Sequence, residues 1–150
     1  MLEEITNFYA VTDSLGTSGM PRRDQIADIA AAGYRVVINL AMDEPPAQLA
    51  GEAELVRSYG MEYVHIPVAW QDPQPADVQR FFQIMDADQD RRVFVHCVMN
   101  YRVSAFVYLY RILRQGVLPE HALHDLNHIW RPDGKWAEFI TQMLNEKIDG

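Results

Sequence analysis

The chain reads as an α/β domain, a mainly parallel sheet between two helical layers. Two observations carry this reading. Short β-branched runs alternate along the chain with longer stretches of helical apolar spacing, the pattern of parallel strands joined by crossover helices. Several helical stretches also close on a glycine, at Gly33, Gly60 and Gly116, the residue that most readily adopts the left-handed turn beyond a helix end. No repeat, low-complexity tract or linker interrupts the pattern, so the expectation is one domain over residues 1–150.

The elements follow in order. Ile5 to Val11 is an opening strand or extended segment, and Leu15 to Pro21 a turn or short strand. Arg22 to Ala32 is helical, with Ile26, Ile29 and Ala30 at i, i+3, i+4 spacing. Tyr34 to Leu40 is a strand, Ala47 to Tyr59 a helix, and Met61 to Val68 the next strand. Glu44-Pro45-Pro46 and Asp72-Pro73-Gln74-Pro75 read as loops. Ala76 to Ala87 is a helix and Val93 to His96 a short buried strand. Three helices complete the chain: Arg102 to Gln115, Pro119 to Ile129 with proline at a first-turn position, and Lys135 to Lys147. In such sheets ligands bind beyond the carboxyl ends of the strands.

Composition narrows the function. A net charge of −8 argues against a nucleic-acid binder or strong attraction to anionic membranes. No run of about 18 apolar residues occurs, so no membrane span is expected. The start Met1-Leu2-Glu3-Glu4 lacks the basic-then-apolar order of a signal peptide. The single cysteine cannot pair within the chain, which fits a free thiol in a reducing, cytoplasmic compartment.

That cysteine, Cys97, sits between the strand ending at His96 and the long helix beginning near Arg102. A helix N-terminus carries partial positive charge and unpaired N–H groups. These favour a thiolate and hold anions such as phosphate. Arg102 adds a planar, permanently charged fork suited to phosphate oxygens. A nucleophile and an anion cradle in one turn point to phosphoryl chemistry through Cys97, with Val98, Met99, Asn100, Tyr101 and Arg102 as the phosphate-binding segment.

His96-Cys97, a short loop, Arg102 and Ser104 resemble the signature of cysteine-dependent tyrosine and dual-specificity phosphatases. The segment Thr17 to Pro21, the helix after it, and Val36 to Leu40 resemble the front half of a group of small bacterial phosphatase-like proteins. His65-Ile66-Pro67-Val68 and its following polar loop match the place of the family's general acid. The resemblance covers roughly residues 8 to 130. It implies attack by a cysteine thiolate, a phosphocysteine intermediate, and an aspartic acid that protonates the leaving oxygen and then activates water. No metal or organic cofactor is implied. The expected partner is a phosphorylated small molecule or phosphoprotein.

The spacing departs from the family. Four residues separate Cys97 from Arg102 where the family has five, whereas the seven positions from Cys97 to Ser104 match. Either the loop is one residue short and Arg102 is the family arginine, or Val103 occupies the arginine's slot. One helical residue is about a 100° rotation, so the two readings send the guanidinium in different directions. Asn100 stands where the family often has glycine, and asparagine tolerates the left-handed conformation.

Asp72 is the chosen general acid, set against a plain turn role before proline. Asp43 and Glu44 are the alternative acids, and Asp77 is read as a first-turn residue of its helix. His96 is expected to orient the loop by bonding backbone carbonyls, and Ser104 to donate to the Cys97 sulfur. His121, His124 and His128 share a helix face without the glutamate of a His-Glu-x-x-His motif, so an exposed face is read there rather than a metal site. Trp70, Trp130 and Trp136 are assigned to the core or a pocket rim. Two readings compete with a phosphatase: a non-catalytic phosphate-binding pseudophosphatase, and a rhodanese-like sulfurtransferase, which also presents a cysteine in an anion cradle after a strand.

Overall fold

The computed structural model describes residues 1–43 and 49–146. Among these residues the strands are β1 (Tyr9–Thr12), β2 (Leu15–Ser18), β3 (Val36–Asn39), β4 (Glu62–His65) and β5 (Val93–His96). The helices are α1 (Arg23–Ala31), α2 (Glu52–Ser58), α3 (Pro75–Ala87), α4 (Tyr101–Leu113), α5 (Pro119–Ile129) and α6 (Gly134–Glu146). The sheet order is β1-β2-β5-β3-β4. Only the β1–β2 pair is antiparallel; β2–β5, β5–β3 and β3–β4 are parallel.

The expected three-layer α/β/α arrangement is what forms. Strand β5 lies in the middle of the sheet with all four residues buried, which is why Val93 to Val95 is a continuous apolar run rather than an alternating one. Period-two alternation then sorts its side chains. Val93 and Val95 join Val36 and Ile38 of β3 on the face covered by α3, α4 and α6, through Phe81, Phe106 and Trp136 among others. Phe94 joins Val37 on the opposite face, against Ile26 and Ile29 of α1 and Val56 of α2. Helix α5 packs on α4.

Two boundaries shift from the sequence reading. Ile5 to Val11 is not one extended segment: a 3₁₀ turn at Leu2–Glu4 and a bend precede β1, and Asn7 has φ 50°. Isolated apolar residues there mimic a strand, but Ile5 is instead buried under the α1–α2 layer. The helix expected from Ala47 begins at Glu52 among the described residues, and the first two residues of that expectation lie outside them.

Phe94 is fully buried beside Tyr34, with ring centroids 5.2 Å apart at near-perpendicular planes. Phe94→Ala is expected to cost about 3–5 kcal/mol, read as a lower urea midpoint at unchanged slope. A loss under about 1 kcal/mol would mean the α1–α2 layer is not packed as described.

Candidate active site

The site is built where β5 runs into α4. The Cys97 amide continues the sheet by donating to the Ser18 carbonyl (3.3 Å). The chain then turns through Val98, Met99 and Asn100, and Asn100 caps α4 in the left-handed conformation, φ 70°. Its side chain is turned away from the loop interior. The Asn100 Nδ2 donates to the Asn7 carbonyl (2.9 Å) and to Thr17 Oγ1 (3.0 Å). Asn7 answers by donating its Nδ2 to the Met99 carbonyl (2.9 Å).

The loop's carbonyls are all engaged from outside. Met20 N–H donates to Val98 O (2.9 Å), the Asn7 side chain to Met99 O, and Ser104 N–H to Asn100 O (3.0 Å). His96 Nδ1 lies 3.3 Å from Cys97 O. In a trans peptide the C=O and N–H point in opposite directions. Tying the carbonyls outward therefore turns the following amides inward. Among the described residues, none of the amides of Val98 to Arg102 donates to a protein acceptor. That is the polarity an anion requires.

Cys97 and Arg102 line one open pocket of about 320 Å³ together with Trp70, Val98, Met99 and Tyr101. Cys97 is 1% exposed and Arg102 7%. Arg102 Nη1 donates to the Val68 carbonyl just past β4 (2.8 Å), which anchors the guanidinium at the pocket wall. Val103 is fully buried in the core on the sheet side of α4. Of the two readings left open by the spacing, the structure brings Arg102 to the cysteine and Val103 to the core.

An aromatic wall stands beside the loop. Tyr101 stacks on Trp130 at 4.8 Å, and Trp70 lies 5.5 Å from both Trp130 and Trp136. Trp136 Nε1 donates to the Trp70 carbonyl (2.8 Å) and Lys135 Nζ to the Gln71 carbonyl (2.5 Å), so α6 holds the loop after β4. Trp70 and Met99 form the rim, 43% and 41% exposed.

Other expected residues sit elsewhere. The Ser104 hydroxyl does not bond the Cys97 sulfur. It donates to the Tyr101 carbonyl (3.0 Å) and accepts from Trp130 Nε1 (3.0 Å), the first being the local backbone bond open to a helical serine. Asp72 is exposed in a turn whose amide donates to Ala69 O (3.2 Å), two residues past Trp70, and it does not line the pocket. Asp77 sits in the first turn of α3, where burial pushes its carboxyl above the ordinary range. Asp43 lines a different cavity, of about 220 Å³, with Asn39, Glu52, Tyr63 and His65. Glu44 lies outside the described residues. His121, His124 and His128 are exposed on α5, His128 against the Tyr9 ring; among the described residues no group of three His, Cys, Asp or Glu is placed to hold a metal.

Three supports were not read from sequence. Asn7 lies 92 residues from its acceptor at Met99, and no local pattern signals that. Gly19 is required because a Cβ there would fall 2.3 Å from the Val98 carbonyl. Glu52 of α2 is 4% exposed, its Oε2 2.5 Å from His96 Nε2; an acidic residue in a first helical turn looks like an ordinary dipole partner.

The family model described as "DSP-PTPase phosphatase fused to NAD+ Kinase" matches residues 4–138. The chain belongs to this phosphatase-like family. A Shewanella putrefaciens CN-32 protein described as "Putative phosphatase (DUF442)" is 35% identical, with a TM-score of 0.86 over 97% of this chain and 96% of that one. PTPMT1 shares the fold at 18% identity, TM-score 0.77, over 93% of this chain and 95% of its own. Among curated relatives, a "Beta-lactamase hydrolase-like protein" of Xylella fastidiosa (strain Temecula1) is 31% identical over 121 residues, 79% of this chain. The matched part is only 28% of that relative's length. Among the described residues no helix is long and apolar enough to cross a membrane.

Gly19→Ala is expected to push the Val98 carbonyl out of place. Overpacking of this kind costs about 1–3 kcal/mol in melting experiments. Tungstate affinity by calorimetry should fall by about tenfold or more, and unchanged affinity would show that the carbonyl's placement does not matter to the cradle.

Proposed function

We propose that this protein hydrolyses phosphomonoesters through a phosphocysteine on Cys97. The observation that carries the reading is the loop polarity: carbonyls bonded outward, amides of residues 98–102 left over, and Cys97 and Arg102 on one pocket. In this reading the amides and the Arg102 guanidinium hold the non-bridging phosphate oxygens. The Cys97 sulfur attacks phosphorus opposite the ester oxygen, the P–O bond breaks, and Asp72 gives the leaving oxygen its proton. Asp72 then takes a proton from the water that cleaves the S–P bond, which releases phosphate and the free thiolate. The chemistry needs a reduced thiol, which suits the cytoplasm.

The pocket also bears on the substrate. Its walls are Trp70, Met99 and Tyr101, and among the described residues Arg102 is the one cation that lines it. A single phosphate on a flat apolar group suits that lining better than a polyphosphate, which would need more positive charge. Phenyl phosphate should therefore show a lower KM than glycerol phosphate.

Cys97→Ser is expected to abolish turnover of p-nitrophenyl phosphate while tungstate still binds; full activity in this variant would contradict the mechanism. Asp72→Asn should lower kcat on phenyl phosphate by about 10²-fold or more at similar KM. The loss should be smaller on p-nitrophenyl phosphate, whose phenolate leaves without a proton. Equal losses on both would remove Asp72 from the acid role.

A second reading is favoured by one observation: among the described residues no carboxylate lines the pocket shared by Cys97 and Arg102. Sulfur transfer needs a thiolate and an anion cradle but no general acid. Cys97 would attack the outer sulfur of thiosulfate, the S–S bond would break, and sulfite would leave with the electron pair. A Cys97 persulfide in mass spectra after thiosulfate treatment, with no aryl phosphate turnover, would put this reading first. Tungstate binding with neither reaction would mark a phosphate-binding module.

A further inference from the structure

Behind the Cys97 loop, on the sheet face opposite the pocket helices, lies a buried polar group that the chemistry above does not use. His96 is fully buried and Glu52 is 4% exposed, within the layer formed by Val37, Val56 and Phe94. Glu52 Oε2 is 2.5 Å from His96 Nε2. Asn39 Nδ2 lies 3.4 Å from Glu52 Oε1 and donates to the Tyr63 hydroxyl (3.1 Å). The other ring nitrogen, Nδ1, is 3.3 Å from the Cys97 carbonyl. A carboxylate in an apolar layer is costly unless it is paired, and this one is paired to the residue next to Cys97.

The hydrogen count decides how the pair works. Both ring nitrogens face acceptors, a carbonyl at Nδ1 and a carboxylate at Nε2. A neutral imidazole carries a single N–H. If that proton sits on Nε2, the bare Nδ1 lone pair faces the Cys97 carbonyl. If it sits on Nδ1, the bare Nε2 faces a carboxylate anion. Both contacts are satisfied when the pair holds one further proton, between Nε2 and Oε2, with a second on Nδ1 directed at Cys97 O. The pair is then neutral as a unit.

The remaining groups around it do not supply that proton. Tyr63 of β4 is pushed up to about 12, first by burial and then by the charge of Glu52, so it stays neutral. His65 of β4 is engaged with the Ala41 carbonyl (2.7 Å). Asp43 of the loop after β3, and Glu54 and Arg57 of α2, make no hydrogen bond to the Glu52 carboxylate among the described residues.

We propose that Glu52 is a positioning residue for the Cys97 loop: it shares a proton with His96, and His96 through Nδ1–H fixes the carbonyl of Cys97. Neither side chain lines the pocket, so the effect reaches the substrate only through the loop. The inference rests on Cys97 being the reactive residue proposed above.

The test is nitrogen NMR of ring-labelled histidine in the full chain, with kinetics alongside. In the unmodified protein both His96 nitrogens should show protonated shifts. In Glu52→Gln, His96 should show one protonated and one bare nitrogen. The same variant should lose about tenfold in kcat on phenyl phosphate, with KM within about threefold, and Cys97 should react several-fold more slowly with iodoacetamide. Glu52→Asp, which keeps the carboxylate, should recover part of the loss. A bare nitrogen on His96 in the unmodified protein overturns the proposal, even if Glu52→Gln fails to fold. So does a folded Glu52→Gln with unchanged kcat and alkylation rate. If the unmodified protein turns over no phosphate ester, the phosphatase reading fails while the ring shifts and alkylation rates still decide this one.

Discussion

The directions of a few peptide groups set the character of this site. Between Cys97 and Asn100 every carbonyl is engaged from outside the loop, and the amides that follow have no protein acceptor among the described residues. Amides without a protein acceptor at the mouth of a pocket are donors that an anion can take up. The charge of the whole chain, −8, runs against an anionic ligand. The local arrangement of amides and Arg102 can oppose that sign, because short-range bonds to fixed dipoles outweigh a screened global field.

Much of the fold is arranged around that loop. Strand β5 is central, so its end is held on both sides, by β2 and by β3. The stretch from Thr6 to Met20 doubles as an edge of the sheet and a brace: Asn7, Thr17 and Met20 each hold an atom of the loop. Gly19 allows the backbone to approach close enough for this. On one face of the sheet, α4 brings Arg102 to the pocket, and Trp136 of α6 holds the loop that carries Trp70 to it. On the other, α2 brings Glu52 to His96. Two faces that look alike in sequence, both apolar, thus serve different ends.

The sequence showed the architecture well because the periodicities are strong. The strand Val93 to His96 and the helix Pro119 to Ile129 have the bounds read from residue pattern alone, since a β-branched run and a proline at the first turn leave little freedom. The placement of Cys97 and Arg102 at the junction of β5 and α4 is legible because their position between strand and helix is a local fact. The direction of Arg102 was not local: it depends on a carbonyl at Val68, 34 residues away. Ser104 was misjudged for a related reason. Its spacing from Cys97 fits the family, but a helical serine bonds the nearest backbone carbonyl, and Trp130 takes the rest of its capacity. Asn7 and Glu52 gave no sequence signal at all, because their partners are distant in the chain and their residue types are ordinary for their positions.

The covalent state of Cys97 during turnover separates the readings most sharply. The measurement is intact-mass and peptide mass spectrometry after rapid acid quench of the protein mixed with excess phenyl phosphate, with Cys97→Ser as the control. A phosphoryl group on the peptide containing Cys97, absent from the control, is the expected result. Steady turnover with an unmodified Cys97, or an adduct on any other residue, would contradict the mechanism built on this loop.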